Sequence, residues 1–281
     1  MNYIIAMCKH NKQWITVLTD LGYEAQIIEQ SLTTSSGDIV KPDIITASNK
    51  FLHSIVFECK GGRTIDVNQL RRYSTLEADN LLRWVTVFDR TSLQFDVCLS
   101  DLIENHRFIK SANQLFPMLT FDSEELFKTR EFKSTKLNET FKEPISLKGK
   151  IPPLFYYPFS EEDKDSYIAV HVIRALVSIA LKNSKGGPDV FEKSIVSCDE
   201  IVAQNFNHVW LALSMSHRRR LKEKIREVIR RIMARESMKE ALGIIQQKQG
   251  YKIVKNLEKL REQAEALVEE LKSQRPMTDF I

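Results

Sequence analysis

Two runs rich in Ile, Val and Phe lie close together near the start of the chain, at residues 43–47 and 51–59. Such residues favour β-strands, and the polar residues 48–50 between the runs are typical of a hairpin tip. From residue 67 to 78 the apolar positions recur at helical spacing. This stretch therefore predicts a β-hairpin that is followed directly by a helix.

The segments on either side extend this pattern into an α/β domain. A first helix is predicted to end at Leu21, because Gly22 stands where a glycine commonly terminates a helix. Three further segments are predicted to be extended or to form strands, and these are residues 25–28, 82–88 and 95–99. The predicted order is α-β-β-β-α-β, and we place this domain at residues 1–135.

Three charged residues mark the ends of the two predicted hairpin strands. Asp43 opens the first strand, and Glu58 lies fifteen residues later, near the end of the second. In adjacent antiparallel strands this separation can place the two carboxylates side by side, and Lys60 leaves the same face as Glu58. Taken singly, each residue is more often a turn residue or part of an exposed pair. Together they predict two carboxylates and an ammonium group at one end of a sheet.

Two neighbouring carboxylates form a hard oxygen site that suits Mg²⁺ or Mn²⁺. The main-chain carbonyl of Cys59, between the two acidic positions, is a third candidate ligand. A cation held there lowers the pKa of a bound water and neutralises the charge that builds on a phosphate. Lys60 is suited to orient or deprotonate that water, or to hold the phosphate. This combination favours phosphodiester hydrolysis.

The residues at these positions also match a family pattern. PDIITA at residues 42–47, followed by FECKGG at 57–62, resembles the PD-(D/E)xK nuclease superfamily over about residues 1–100. QLRRY at residues 69–73 is similar to the QxxxY element of its RecB-like branch. The resemblance implies a restriction-endonuclease-like core and a Mg²⁺-dependent or Mn²⁺-dependent nuclease, in which Gln69 and Tyr73 position the scissile strand or its water. The candidate catalytic residues are Asp43, Glu58, Lys60, Gln69 and Tyr73, and the candidate metal ligands are Asp43, Glu58 and Cys59.

The second half of the chain predicts a mainly helical domain. Residues 136–159 contain four prolines and are expected to link the two domains. Capping boxes open the next two predicted helices, and Ser214 or Ser216 caps a third. The two boxes are Ser160 with Asp163, and Ser197 with Glu200. Residues 242–246 and 251–254 then predict a β-hairpin.

Three helices and a hairpin are the order of a winged helix, which we place at residues 160–254. Apolar positions at heptad-like spacing predict a final helix at residues 255–281. Barely two heptads are present, so packing on its own domain and homodimerisation are both open for this helix.

The third predicted helix is strongly basic. Residues 216–235 carry seven Arg and two Lys against Glu223 and Glu227. A buried apolar stripe would leave several of the basic side chains available for phosphates, although a solvated helix face is the simpler interpretation. The candidate nucleic-acid contacts are Arg218, Arg219, Lys222, Arg226, Arg230, Lys248 and Lys252.

Composition excludes several classes of protein. The chain has 43% hydrophobic residues and 41 Lys and Arg against 37 Asp and Glu, which is typical of an ordinary globular protein. Four scattered cysteines predict neither a disulfide framework nor a zinc ribbon. No segment has the length of a membrane span or the polarity of a secretory signal, so a cytoplasmic protein without membrane contact is expected.

The sequence thus favours a metal-dependent DNA endonuclease. A nuclease with so small a second domain is expected to act within a restriction, phage-defence or transposition system, where a protein partner supplies targeting or activation. The alternative is a non-catalytic DNA-binding or adaptor protein that retains a nuclease fold. The same chemistry on RNA is a third interpretation.

Overall fold

The computed structural model describes residues 1–10, 12–151, 156–183, 195–234 and 243–253 of the 281 residues. The chain divides into two compact units. Unit 1 comprises Met1–Tyr156 and Leu211–Ser214, and unit 2 comprises Tyr157–Trp210 and Met215–Ile281. A mixed β-sheet forms the centre of unit 1, and helices dominate unit 2, so the predicted mixed α/β class is confirmed. Within the described ranges, no helix is long and apolar enough to cross a membrane.

The strands of unit 1 are β1 (Tyr23–Ile28), β2 (Leu32–Thr33), β3 (Ile39–Val40), β4 (Ile44–Ser48), β5 (His53–Cys59), β6 (Gln94–Leu102), β7 (Met118–Phe121), β8 (Glu125–Thr129) and β9 (Ile145–Ser146). Seven of them form one sheet in the order β1-β4-β5-β6-β7-β8-β9, and β2 pairs with β3 separately. β6 is parallel to both β5 and β7, whereas the other neighbours in the sheet are antiparallel.

The helices of unit 1 are α1 (Asn2–Met7), α2 (Val17–Asp20), α3 (Val67–Tyr73), α4 (Ala78–Leu81), α5 (Ile103–Ala112) and α6 (Thr135–Thr140). α3 and α4 lie between β5 and β6 in the chain, as a crossover between parallel strands requires. Tyr73 and Leu81 of these helices pack with Val56 and Val97 of the sheet in one hydrophobic cluster. This packing holds α3 against the central strands.

The predicted hairpin is confirmed, with a different tip. β4 pairs antiparallel with β5, and Ser48 lies opposite His53, so the turn spans residues 49–52 rather than 48–50. Leu52 takes a left-handed conformation with φ of 48°. Nearly all of β5 is buried, because β4 and β6 pair with its two edges and the sheet is covered by packed side chains. A continuous apolar strand is the expected sequence of such a position.

The prediction of a strand at residues 82–88 is wrong. Val85 and Val87 are buried, but the backbone beside them bonds to side chains instead of to a neighbouring strand. The Thr86 N–H donates to Gln26 Oε1, and the Phe88 N–H donates to Asn49 Oδ1. Val85 and Val87, whose spacing is typical of a strand, therefore belong to a loop that packs on the core. The strand that follows, β6, extends well beyond the predicted residues 95–99.

Two further expectations for unit 1 differ from the structure. The segment before Gly22 forms two short helices, α1 and α2, rather than one. Gly22, with φ of 75°, follows the last residue of α2 by two positions. Much of the segment predicted as a linker at residues 136–159 belongs to unit 1, where Leu137 and Phe141 are buried and β9 pairs with β8. The boundary between the two units, at Tyr156 and Tyr157, falls within the predicted linker and close to three of its four prolines.

Unit 2 combines three helices with a small sheet. Its elements are α7 (Asp165–Asn183), β10 (Ile195–Val196), α8 (Cys198–Asn205), α9 (Met215–Ala234), β11 (Ile244–Gln247) and β12 (Gly250–Ile253). The predicted Ser197–Glu200 capping box opens α8, and the predicted hairpin is formed by β11 and β12. β10, which the sequence did not predict, adds to β12 as a third strand. The predicted final helix at residues 255–281, with residue 254, lies outside the described residues.

Gly250 permits the close approach of β10 to β12. A Cβ atom at this position would fall on the Val196 carbonyl oxygen and lie 2.8 Å from its carbonyl carbon. We expect Gly250→Ala to destabilise unit 2 by about 1–3 kcal/mol, because the strands must separate to admit the methyl group. Chemical denaturation would measure this loss. Gly62→Ala is the matched control, since a Cβ there meets nothing within 4 Å, and equal stabilities of the two variants would contradict the prediction.

Candidate active site

The strand pairing of β4 and β5 brings the two predicted carboxylates together. The Asp43 N–H donates to the Phe57 carbonyl at 3.0 Å, directly before the β4–β5 ladder begins. This register places Asp43 opposite the end of β5, where Glu58 lies. Asp43 Oδ2 in turn accepts a hydrogen bond of 2.6 Å from the Cys59 N–H. The carboxylate of Asp43 is therefore anchored to the backbone beside Glu58.

Lys60 contacts both Glu58 and Gln69. Its Nζ lies 2.7 Å from Glu58 Oε1 and 3.3 Å from Gln69 Oε1. The Lys60 N–H donates to the Ser100 carbonyl of β6 at 2.7 Å, which continues the parallel pairing one residue past β5. Because this bond holds the backbone of Lys60, its side chain leaves the sheet on the same face as that of Glu58.

Helix α3 supplies the remaining two predicted residues. Asp66 caps the helix by accepting from the Asn68 N–H at 2.8 Å. Gln69 and Tyr73, four residues apart and so on one helical face, both donate to Glu58: Gln69 Nε2 to Oε1 at 3.1 Å and the Tyr73 hydroxyl to Oε2 at 2.6 Å. The five residues predicted as catalytic are thus clustered at one end of β5.

The cluster is electrostatically strained at Asp43. Burial, together with the neighbouring carboxylate of Glu58, raises the pKa of Asp43 to about 7, against the lowering effect of the hydrogen bond from the Cys59 N–H. Burial also raises the pKa of the Cys59 thiol to about 12, so the thiol is neutral near pH 7. The main-chain carbonyl of Cys59 is therefore the better candidate metal ligand. For Tyr73, burial and the adjacent Glu58 raise the pKa of the phenol far above its ordinary value, so it remains a hydrogen-bond donor.

This donor set fits a divalent cation. A carboxylate offers about four acceptor positions. Glu58 uses three of them for Lys60, Gln69 and Tyr73, and Asp43 uses one for the Cys59 N–H. Each carboxylate therefore keeps acceptor capacity, and a cation would relieve the repulsion that raises the pKa of Asp43. No group of three or more His, Cys, Asp or Glu side chains suited to a metal occurs among the described residues, so the set depends on a main-chain oxygen.

A pocket of about 330 Å³ opens beside the cluster. Asp43 and Lys60 line it together with residues that the sequence analysis did not identify. These additional lining residues include Tyr3, Ser100, Asp101 and Phe121. They come from α1, β6 and β7, and reach the pocket through helix packing and parallel strand pairing, which leave no local sequence signal.

The basic side chains of α9 are divided between two environments. Leu221, Ile225 and Val228 form the expected buried stripe. Several predicted contacts already have partners within unit 2: Lys222 Nζ lies 2.9 Å from Asp199 Oδ1, Arg219 Nε lies 3.0 Å from Glu223 Oε1, and the Arg218 guanidinium stacks on Trp210 with 4.4 Å to the ring centroid.

Arg226 and Arg230 are exposed and line a second pocket of about 390 Å³ with Lys248 of the β11–β12 turn. Arg226 also hydrogen-bonds to Cys198 and thereby partly offsets the rise in the pKa of that thiol caused by burial. Lys252 is half-buried on β12. Three of the seven predicted nucleic-acid contacts thus share one basic pocket.

Comparison with known families assigns the first part of the chain. The model of the MJECL32 domain matches residues 1–157. The chain belongs to the MJECL32 domain family. The MJECL32 domain nearly coincides with the continuous part of unit 1 and includes Asp43, Glu58, Lys60, Gln69 and Tyr73. No curated protein and no solved structure matches the chain.

The raised pKa of Asp43 predicts a cost in stability to the MJECL32 domain. The ionised carboxylate is disfavoured in the folded state, so stability is lost as pH rises from about 3.8 towards 7. Asp43→Asn keeps an acceptor for the Cys59 N–H and removes the charge. At pH 8 without added metal we expect a stabilisation of about 1 kcal/mol or more, equivalent to a rise in Tm of roughly 2–4 °C. Thermal unfolding at pH 8 and near pH 4 would measure it, with little effect at the lower pH.

Asp89→Asn is the matched control. Hydrogen bonds from Ser92 and Thr91 lower the pKa of Asp89 to about 2, so its charge is favoured in the folded state. Removing that charge is expected to leave Tm at pH 8 unchanged or lower. A fall in Tm with Asp43→Asn as well would show that the Asp43 carboxylate stabilises the fold.

Proposed function

We propose that this protein is a metal-dependent DNA endonuclease that hydrolyses phosphodiester bonds. The observation that carries the proposal is the hydrogen-bonded cluster of Asp43, Glu58, Lys60, Gln69 and Tyr73 beside a pocket at the end of β5. Buried charges are costly unless they are paired, and a purely structural sheet end does not need two adjacent carboxylates. Their convergence is readily explained by chemistry on a phosphate.

The topology around the cluster supports this proposal. Three antiparallel neighbours, β1, β4 and β5, are followed by helix α3 and then by β6, which is parallel to β5. That order agrees with the α-β-β-β-α-β core of restriction-endonuclease-like enzymes that the sequence resembles. Unit 2 contains three helices and a β11–β12 hairpin to which β10 adds a third strand. This set of elements likewise supports a winged helix.

Asp43, Glu58 and the Cys59 carbonyl would hold Mg²⁺ or Mn²⁺, which supplies a Lewis acid and a nucleophilic water when bound. Lys60 is placed by Glu58 and Gln69 so that its ammonium group can hold a phosphate oxygen or exchange a proton with the attacking water. Gln69 and Tyr73 act mainly through Glu58, because both donate to its carboxylate and so restrict its orientation. They are therefore positioning residues.

Unit 2 is proposed to add DNA affinity. Arg226, Arg230 and Lys248 present three positive charges around one pocket, which also holds the carboxylate of Asp199, paired with Lys222. A net positive pocket of this kind suits a phosphate contact. A protein partner is proposed to supply targeting or activation in a restriction, phage-defence or transposition system, and paired cuts in a duplex would need two active sites, as in a homodimer.

The first test is cleavage of supercoiled and linear DNA with Mg²⁺, Mn²⁺ or EDTA. We expect wild type to cut circular DNA only with metal, and Asp43→Ala and Lys60→Ala to lose cutting by at least about 10³-fold while DNA binding persists. Tyr73→Phe removes one hydrogen bond to Glu58 and is expected to lower kcat by roughly 10-fold with little change in KM. Gel electrophoresis and filter binding provide the two measurements.

The controls separate the competing functions. Asp89→Asn, which changes a carboxylate outside the cluster, is expected to retain cutting. DNA binding by wild type with no cutting under any metal condition, even with a co-purifying partner added, would contradict the nuclease and favour the non-catalytic adaptor. Preferential cutting of RNA would redirect the assignment to a ribonuclease.

The division of charges on α9 gives a separate prediction for DNA binding. The double variant Arg226→Ala/Arg230→Ala is expected to lower DNA affinity and to reduce the slope of log K against log salt by roughly 2. Arg219→Ala/Lys222→Ala removes the same charge from side chains that already have acidic partners, and should change the slope less. Titrations across a range of salt would measure both, and equal slopes for the two double variants would contradict the assignment.

A further inference from the structure

Two arginines share one aromatic ring next to the candidate active site. The guanidinium carbon of Arg63 lies 5.3 Å from the centroid of the Phe108 ring, and that of Arg107 lies 4.6 Å from it. Arg63 is three residues beyond Lys60 in the loop before α3, whereas Arg107 and Phe108 belong to α5. Segments distant in sequence therefore place two cations on one side chain.

Apolar packing holds this arrangement in place. Ile65, in the same loop as Arg63, packs against a cluster that contains Leu70 of α3 and Ile109 of α5. Because Ile109 follows Phe108 directly, this cluster fixes the loop against the helix that carries the ring. The arginine pair is thus built into unit 1 at the point where the loop leaves the candidate active site.

Within the described ranges, neither Arg63 nor Arg107 forms an ion pair, although both are exposed. Like charges that share a ring repel each other, and an anion between them would remove that repulsion. Arginine recognises phosphate through paired N–H donors, and stacking on an aromatic ring leaves those donors at the ring edge accessible.

The surface between Lys60 and this pair is open. Gly61 and Gly62 connect Lys60 to Arg63, both are exposed, and a Cβ at either glycine would meet nothing within 4 Å. Lys110, one turn after Arg107 on α5, is also exposed. Gly61 itself lines the pocket, so the loop from the pocket to Arg63 carries no side chain at residues 61 and 62 that would obstruct a polyanionic strand.

We infer that Arg63 and Arg107, stacked on Phe108, bind a backbone phosphate of the DNA substrate that flanks the scissile one. This inference rests on the proposed nuclease function and assigns to unit 1 a phosphate contact separate from the basic pocket of unit 2. The two arginines are substrate-binding residues, and Phe108 positions them.

The test combines binding without metal and cleavage with metal. In EDTA, the double variant Arg63→Ala/Arg107→Ala is expected to bind a short DNA duplex about 10-fold more weakly than wild type. The slope of log K against log salt should fall by roughly 1–2, as expected when one or two phosphate contacts are lost. In Mg²⁺, KM should rise by a similar factor while kcat stays within about 3-fold, because the cluster at Glu58 is intact. Phe108→Leu keeps the packing volume and should show a smaller rise in KM.

Arg83→Ala is the matched control. Arg83 is exposed and stacks on Trp84 at 5.1 Å in the same unit, but it lies in the loop after α4. Its removal is expected to leave the DNA affinity and the salt slope within about 2-fold of wild type. Thermal melting of all variants verifies that each is folded, and the exposed positions of Arg63, Arg83 and Arg107 predict changes in Tm of only a few degrees for the arginine variants.

The outcomes distinguish this inference from the nuclease proposal. If wild type cuts DNA and the double variant keeps wild-type affinity, slope and KM, the arginine site is overturned and the nuclease stands. A loss of affinity in the double variant, with no cutting by wild type under any metal, supports the phosphate contact and contradicts the nuclease. If Arg83→Ala weakens binding as much as the double variant does, the effect is general electrostatics and the site is overturned.

Discussion

The main-chain pairing of β5 is the constraint on which the rest of unit 1 depends. β4 lies antiparallel on one edge of β5 and β6 lies parallel on the other. The antiparallel neighbour brings Asp43 to the end of β5 beside Glu58. The parallel neighbour requires a crossover connection, and that crossover contains α3 with Gln69 and Tyr73. The same pairing therefore forms the centre of the sheet and brings the five side chains of the candidate site together.

Glu58 connects the site to the hydrophobic core. Its carboxylate accepts from Lys60, Gln69 and Tyr73, and Tyr73 packs with Val56 and Val97 in one hydrophobic cluster. A buried carboxylate is tolerated because these donors satisfy it. Asp43 is less well satisfied, and burial beside Glu58 raises its pKa. Such strain is common where a fold has been arranged for chemistry rather than for maximal stability.

In the described part of unit 2, the positions of acidic side chains decide which basic side chains are paired and which are not. Asp199 and Glu223 pair with Lys222 and Arg219, whereas Arg226 and Arg230 face a polar pocket beside the β11–β12 turn. In unit 1, Arg63 and Arg107 are held on Phe108 instead of on carboxylates. A count of Lys and Arg along the chain does not separate these environments, because each depends on which side chains the fold brings near.

Much of the local structure of this protein could be predicted from the sequence alone. The β-prone runs around Asp43 and Glu58, the QxxxY spacing and the Ser197–Glu200 capping box depend on neighbours a few residues away, and their local structure was predictable. Three features depend on residues that are distant in sequence, and only the tertiary structure decided them. They are the loop at residues 82–88, whose buried valines have the spacing of a strand, the pairing of β10 with β12, and the contact of Arg63 with Phe108. Burial and long-range hydrogen bonding select among conformations that the local sequence allows, because the partner groups are supplied only by the fold.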